Sequence, residues 1–253
     1  MPFRSWVPGV VAWWVVGISP ANAKAAADYV SDAKAYALAP LHWDVQDWEW
    51  AAGAAASVAA AYSFDSRIHA HFADGRSGPN GDPHSLRDAA PTAALTLGTL
   101  ALGAFRHDST TTHTGFDMVE AIGLGSLSAF VLKNVAGRAR PDSTDDRAAW
   151  HTGGDSFPSG HVSAAFAAAE VFAESRPAGE WHWRVLAYSL AAATAYARLD
   201  GNMHWSSDTV AGAALGIATG RFVAARGSGR EPERVSVWIE PLDRGARLSF
   251  SLK

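Results

Sequence analysis

Residues 157–175, Phe157-Pro158-Ser159-Gly160-His161 followed by VSAAFAAAEVFAES, change character at His161. Before it lies turn chemistry, with Pro158 and Gly160 flanking a serine. From it runs an alanine-rich apolar stretch with few β-branched residues, which predicts a helix buried on most of its faces. The pattern recurs along the chain. Further helices are expected over 44–73, 85–105, 116–135, 181–199 and 204–226, with turn-rich loops over 74–83 and 138–158 between them. The expected fold is therefore all-α, a compact helical bundle of about six helices. The tail differs. After Gly227-Ser228-Gly229, residues 235–239 and 247–252 alternate in polarity around Pro241 to Gly245, which predicts a small β-hairpin appended over 230–253.

The bulk numbers bound what the chain can do. Its 253 residues are 48% hydrophobic, enough for one sizeable core, with the helical domain expected over 24–229. A formal net charge of -4 gives no reason to expect a nucleic-acid partner. The absence of cysteine excludes disulfides and thiolate chemistry.

At the N-terminus Arg4 precedes an apolar run from Trp6 to Ile18, and Ala21-Asn22-Ala23 supplies small residues for a cleavage site. Residues 1–23 read as a signal peptide, so an exported protein is expected, periplasmic or membrane-associated on that side. A span needs about 20 mostly apolar residues. The later charge-free stretches are shorter, rich in Ala and Gly, and the mean hydropathy is -0.03. They read as buried helices of a globular bundle.

Three polar segments interrupt this apolar chain. Lys133 and Arg140 stand seven residues apart where a helix ends before Pro141. Ser159-Gly160-His161 opens a helix whose first amides form an anion site, and Gly160 allows an oxyanion close to the backbone. His204 and Asp208, four apart, lie on one helical face, with Arg198 just upstream. Each segment alone has a plainer reading: a dipole partner, a serine cap, a local hydrogen bond. Together they gather three cations, two histidines, one carboxylate and a helix N-terminus, which points to an oxyanion substrate. An Asp beside His204 fixes its tautomer, as an activated nucleophile needs, and His161 can supply a proton. No HExxH or acidic cluster suggests a metal site, and no cofactor is expected.

The order Lys133-x6-Arg140-Pro141, Pro158-Ser159-Gly160-His161 and Arg198-x5-His204-x3-Asp208 resembles the tripartite motif of the type 2 phosphatidic acid phosphatases. That superfamily includes class A acid phosphatases and vanadium haloperoxidases. The gaps, 16 residues between Pro141 and Pro158 and 36 between His161 and Arg198, are similar to the family's. The resemblance implies that Lys133, Arg140, Ser159, Gly160 and Arg198 bind phosphate. It implies that His204 attacks phosphorus, Asp208 orients it, and His161 protonates the leaving group without a metal. Ala197 stands where the family usually has serine.

The expected function is hydrolysis of a phosphate monoester or pyrophosphate through a phosphohistidine. The substrate is a lipid phosphate, which would bring contact with a membrane surface, or a soluble phosphomonoester. Vanadate-dependent halide oxidation and non-catalytic phosphate or lipid binding are remoter readings. Elsewhere, Arg138 is expected to be a solvated neighbour of the first motif. Trp43, Trp48 and Trp50 are expected in the core, and Asp142, Asp145 and Asp146 in a solvated loop. His107 and His113 are expected exposed in a threonine-rich loop.

Overall fold

The computed structural model describes residues 26–74, 86–228, 235–242 and 245–252. The expected leader, 1–23, and nearly all of the 74–83 loop lie outside the described residues. Among the described residues seven α-helices follow one another: α1 (Ala26–Leu38), α2 (Val45–Asp74), α3 (Ala90–Arg106), α4 (Ser109–Ala136), α5 (Gly160–Glu174), α6 (Trp181–Asp200) and α7 (Ser206–Ser228). The helical body is all-α. For the expected hairpin appendage over 230–253 only a backbone pairing is described, Val235–Leu242 antiparallel to Gly245–Leu252.

The helix α1 was not among the expected ones, and α4 begins seven residues before the expected 116. The threonine-rich stretch is helix, because its hydroxyls work for the helix. Asp108 caps α4, accepting from the amides of Thr110 and Thr111 at 3.0 and 3.3 Å. The hydroxyls of Thr112 and Thr114 donate to carbonyls one turn back, at 2.9 and 3.0 Å. His107 and His113 are exposed, as expected.

At the centre lies α5, whose Val162, Ala165, Ala167, Ala168 and Ala169 are buried. Its neighbour α7 approaches through Gly212, Gly216 and Gly220, one per turn. A Cβ added at these would stand 2.5, 2.4 and 2.5 Å from Ser159 O, Ser163 O and Glu170 Cβ. The spacing of four puts all three on one face, so the two backbones touch along their length. Farther along, the buried Glu170 of α5 accepts from Arg221 of α7 at 2.8 Å and from the Tyr188 hydroxyl of α6.

The outer surface corrects two expectations. Trp43, Trp48 and Trp50 are exposed rather than packed in the core: Trp43 stacks edge-on against Trp48, and Trp50 lies under Arg221. The charge-free stretches are not fully buried either. Leu97 and Phe105 on α3, and Leu127, Phe130, Val131 and Val135 on α4, are more than half exposed. Among the described residues one helix, Ser109–Ala136, is long and apolar enough to cross a membrane by length and composition. A mean over the whole chain concealed this flank because the polar and charged loops offset its apolar residues.

The glycine contacts give an opposed pair of expectations. Gly216→Ala must push α5 and α7 apart, and should cost about 1–3 kcal/mol, the usual penalty for overpacking. Gly123→Ala, with nothing within 4 Å of the added methyl, should gain up to ~1 kcal/mol. Urea unfolding of both variants checks the signs.

Candidate functional site

The site forms where four chain segments meet. Lys133 sits in the last turn of α4, which ends at Gly137, whose φ of 55° is left-handed and whose N–H donates to Lys133 O at 2.8 Å. The long loop after it folds back on itself. Ala139 N–H donates to Ala149 O at 2.9 Å, and Ser156 N–H donates to Arg138 O at 2.9 Å. The N-termini of α5 and α7 are tied together, since Ser159 N–H donates to Asp208 O at 3.0 Å. Between these elements lies a cavity of about 530 Å³, lined by Lys133, Arg140, Asp155, Gly160, His161 and His204 among others.

Five of the eight expected site residues thus share one cavity wall. The other three, Ser159, Arg198 and Asp208, are fully buried and do not line it. The Ser159 hydroxyl is buried without a hydrogen-bond partner, which is uncommon and marks a polar group held for another purpose. Gly160 has an ordinary φ, and an added Cβ would come no nearer than 3.8 Å to Lys133. Neither backbone strain nor packing demands glycine there, leaving free approach from the cavity as its physical consequence.

The cations are already engaged. Arg140 forks onto Asp155, Nε to Oδ1 at 2.6 Å and Nη2 to Oδ2 at 2.8 Å, and Lys133 Nζ donates to Asp155 O. The Arg140 hydrogen bonds hold the Asp155 carboxyl down at about 2. Burial lowers the Lys133 ammonium to about 8, helped by the charge on Arg140. Arg198 donates to Asp88 at 2.6 Å. Asp155 and Asp88 were not among the residues singled out from the sequence. Asp155 stood next to the second motif, three residues before Pro158, whereas nothing near Asp88 in sequence tied it to Arg198.

Burial pushes His204 down to about 3, so its imidazole is neutral at ordinary pH. Its Nδ1 stands 3.7 Å from Asp208 Oδ2, an electrostatic contact too long for a hydrogen bond. Such contacts are often long before substrate arrives. Asp208 itself is firmly held. Its Oδ2 accepts from Ser156 Oγ at 2.5 Å and from Trp205 N–H at 2.9 Å, and its Oδ1 from Arg138 Nη1 at 2.6 Å. Burial alone would raise this carboxyl, but the His204, Arg138 and Ser156 partners outweigh it and keep it lowered.

Arg138 is the main correction to the sequence reading. Expected in solvent, it is fully buried. Its Nε and Nη2 donate to Arg147 O at 3.1 and 2.8 Å, and Nη2 also donates to Asp65 Oδ2 at 2.7 Å. Nη1 donates to Ser207 Oγ at 2.8 Å besides Asp208. The guanidinium plane lies within 4.5 to 5.3 Å of the ring centres of Trp150, Trp205 and Tyr62. Every N–H of this guanidinium has an acceptor. Asp65 was also missed, although a lone carboxylate closing the charge-free run from Ala51 to Phe64 was a usable signal. Asp142, Asp145 and Asp146 are exposed, with Asp145 3.2 Å from His69. Among the described residues no group of three His, Asp or Glu is arranged to hold a metal ion.

Residues 114–230 match the model of the PAP2 superfamily, a stretch that contains every expected site residue. Over 106 residues the chain is 36% identical to the lipid A 1-phosphatase of Porphyromonas gingivalis, covering 41% of this chain. The match spans only 22% of that relative's length. No solved structure matches. Both Asp65 and Asp88 lie outside residues 114–230, the stretch that matches the family model.

Replacing Arg138 with methionine should be severe for stability. It leaves Asp65 and Asp208 buried without their shared counter-charge, a change that typically costs about 3–5 kcal/mol. Chemical denaturation should show this loss, and a cost below about 1 kcal/mol would mean that water or rearrangement solvates both carboxylates.

Proposed function

We propose that this chain, whose residues 114–230 belong to the PAP2 superfamily, is a metal-independent phosphatase acting on lipid phosphate monoesters or pyrophosphates through a phosphohistidine on His204. The supporting observation is the cavity itself. Its inner wall carries Lys133, Arg140, His161 and a neutral His204, while its lining also includes Phe130. Phe130 is more than half exposed and belongs to the same apolar flank as Leu127, Val131 and Val135. A polar seat beside an exposed apolar flank suits a phosphate carried on a lipid, with the flank resting against a lipid surface. The similarity to a lipid A 1-phosphatase is in keeping with that substrate class. The leader at 1–23 would place the enzyme outside the cytoplasm, membrane-associated.

In this mechanism the substrate phosphate takes Arg140 and Lys133 from Asp155, and the first amides of α5 at Gly160 receive another oxygen. Ser159 and Arg198 stand behind the wall. Arg198 joins the phosphate by exchanging Asp88 for a substrate oxygen. His204 Nε2 attacks phosphorus, the bond to the leaving oxygen breaks, and His161 gives that oxygen a proton. The imidazolium formed at His204 gains its hydrogen bond from Nδ1–H to Asp208 as the 3.7 Å contact closes. Water then attacks the phosphohistidine, deprotonated by His161, and phosphate leaves. The cations and helix N-terminus supply the positive charge for the transition state.

A denaturing alkaline quench during turnover of a lipid monophosphate radiolabelled in its phosphate should trap a phosphoryl-enzyme in the wild type that is stable in alkali and lost in acid. His204→Ala should give no trapped label and turnover reduced by about 10³-fold or more. Wild-type turnover in that variant would remove His204 from the role.

A second expectation concerns pH. Lys133 is charged below about 8 and loses its proton as pH rises through that value. Substrate capture should then weaken, so kcat/KM should fall on the alkaline side near pH 8, the parameter that reports the free enzyme. Lys133→Arg keeps its charge throughout and should move that limb upward by at least one pH unit. A limb that stays in place would assign it to another group.

A further inference from the structure

The mechanism above uses Asp208 but leaves open what fixes Asp208. Its Oδ2 has local partners, Trp205 N–H three residues back and Ser156 across the loop. Its Oδ1 is held by Arg138, and Arg138 is held in turn from a helix outside residues 114–230, the stretch that matches the family model. Asp65 of α2 accepts Arg138 Nη2 at 2.7 Å, Ser206 Oγ at 2.6 Å and Ser207 N–H at 2.8 Å. The Ser207 hydroxyl closes the ring, donating to Asp65 Oδ2 at 2.6 Å and accepting from Arg138 Nη1 at 2.8 Å. Asp65, Arg138 and Asp208 all have side chains wholly shielded from solvent.

We propose that Asp65 is a positioning residue of the reaction: through Arg138 and Ser207 it fixes the Asp208 carboxylate against His204. This rests on the reading of His204 as the nucleophile. Two carboxylates share one guanidinium, so the triad keeps one net negative charge behind the imidazole. With Asp65 neutral, Arg138 turns wholly to Asp208. That carboxylate then stabilises the imidazolium less, and its rotation is no longer fixed from two sides. Arg198, Arg140 and Lys133 are held by Asp88 and Asp155 instead of Asp65. Phosphate binding should therefore be spared while the chemical step suffers. Helix α2 thus becomes part of the catalytic apparatus rather than packing alone.

The test uses the full chain, with p-nitrophenyl phosphate and a phosphatidic acid micelle as substrates and vanadate as a binding probe. Asp65→Asn is close to isosteric, and its amide oxygen can still accept from Ser206 or Ser207. In folded Asp65→Asn, kcat should fall about 10–100-fold, the range seen when a partner behind a reacting ligand is lost. KM and the vanadate Kd should stay within about 2-fold. Ser207→Ala, a milder change in the same ring, should show the same split at a smaller size. In the double variant the losses should be less than multiplicative, because both act through one guanidinium.

Should Asp65→Asn not fold, Ser207→Ala alone decides by its KM-against-kcat split. Unchanged kcat in a folded Asp65→Asn would overturn the proposal and leave Asp65 a fold residue. So would kcat, KM and vanadate binding failing together in proportion to lost folded protein. A wild type inactive on both substrates, with no label trapped on His204, would instead remove the phosphatase reading on which this depends.

Discussion

The site depends on one buried guanidinium. Arg138 has no solvent contact, yet all its donors are used, and it binds carboxylates from α2 and from α7 at once. Burying such a group is costly unless every partner is in place. The loop that carries it, the helix that carries Asp65 and the turn that carries Asp208 are therefore fixed together. Its aromatic surround of Tyr62, Trp150 and Trp205 comes from the same three segments, the helix of Asp65, the loop of Arg138 and the turn before Asp208. Arginine suits this place and lysine does not, since only a planar fork can serve two carboxylates and a hydroxyl in fixed directions.

A second constraint comes from the glycines of α7. Because Gly212, Gly216 and Gly220 carry no side chains, α7 lies directly on α5, and the helix starts stand side by side. The bond from Ser159 N–H to Asp208 O is the immediate result. His161 and His204 reach one cavity from two helix starts because of this contact. In a cavity of this kind position depends on backbone separation, and side chains of ordinary size would move the two histidines apart by a few ångströms.

The cations are preorganised on carboxylate and carbonyl oxygens rather than held bare. Asp155 holds Arg140 in a bidentate grip and Asp88 holds Arg198. Their side chains are thereby ordered, so less rotamer entropy remains to be lost when another oxyanion binds. The cost is competition, since a substrate must displace a carboxylate. The neutral His204 fits the same economy: desolvation, which penalises its charged form, keeps Nε2 available as a nucleophile beside several positive charges.

The sequence by itself determined the helical class, most helix centres and the eight residues of the three motifs. Those signals are local: alanine-rich periodicity, cap chemistry, and residue types at short fixed spacings. It missed α1 and the early start of α4, where threonines that disfavour helices find backbone acceptors one turn back. Tertiary structure alone decided which charges meet. Arg138 looked like a solvated neighbour because nothing nearby in sequence shows that Asp65, 73 residues upstream, will be brought against it. Likewise, nothing in the sequence shows that Arg198 and Arg140, expected on phosphate, pair with Asp88 and Asp155. Exposure of the apolar flank of α4 was equally illegible, because composition records which residues are apolar but not which of their faces the neighbouring helices cover. Charge pairing and burial act through space, so they become visible only once distant segments are packed.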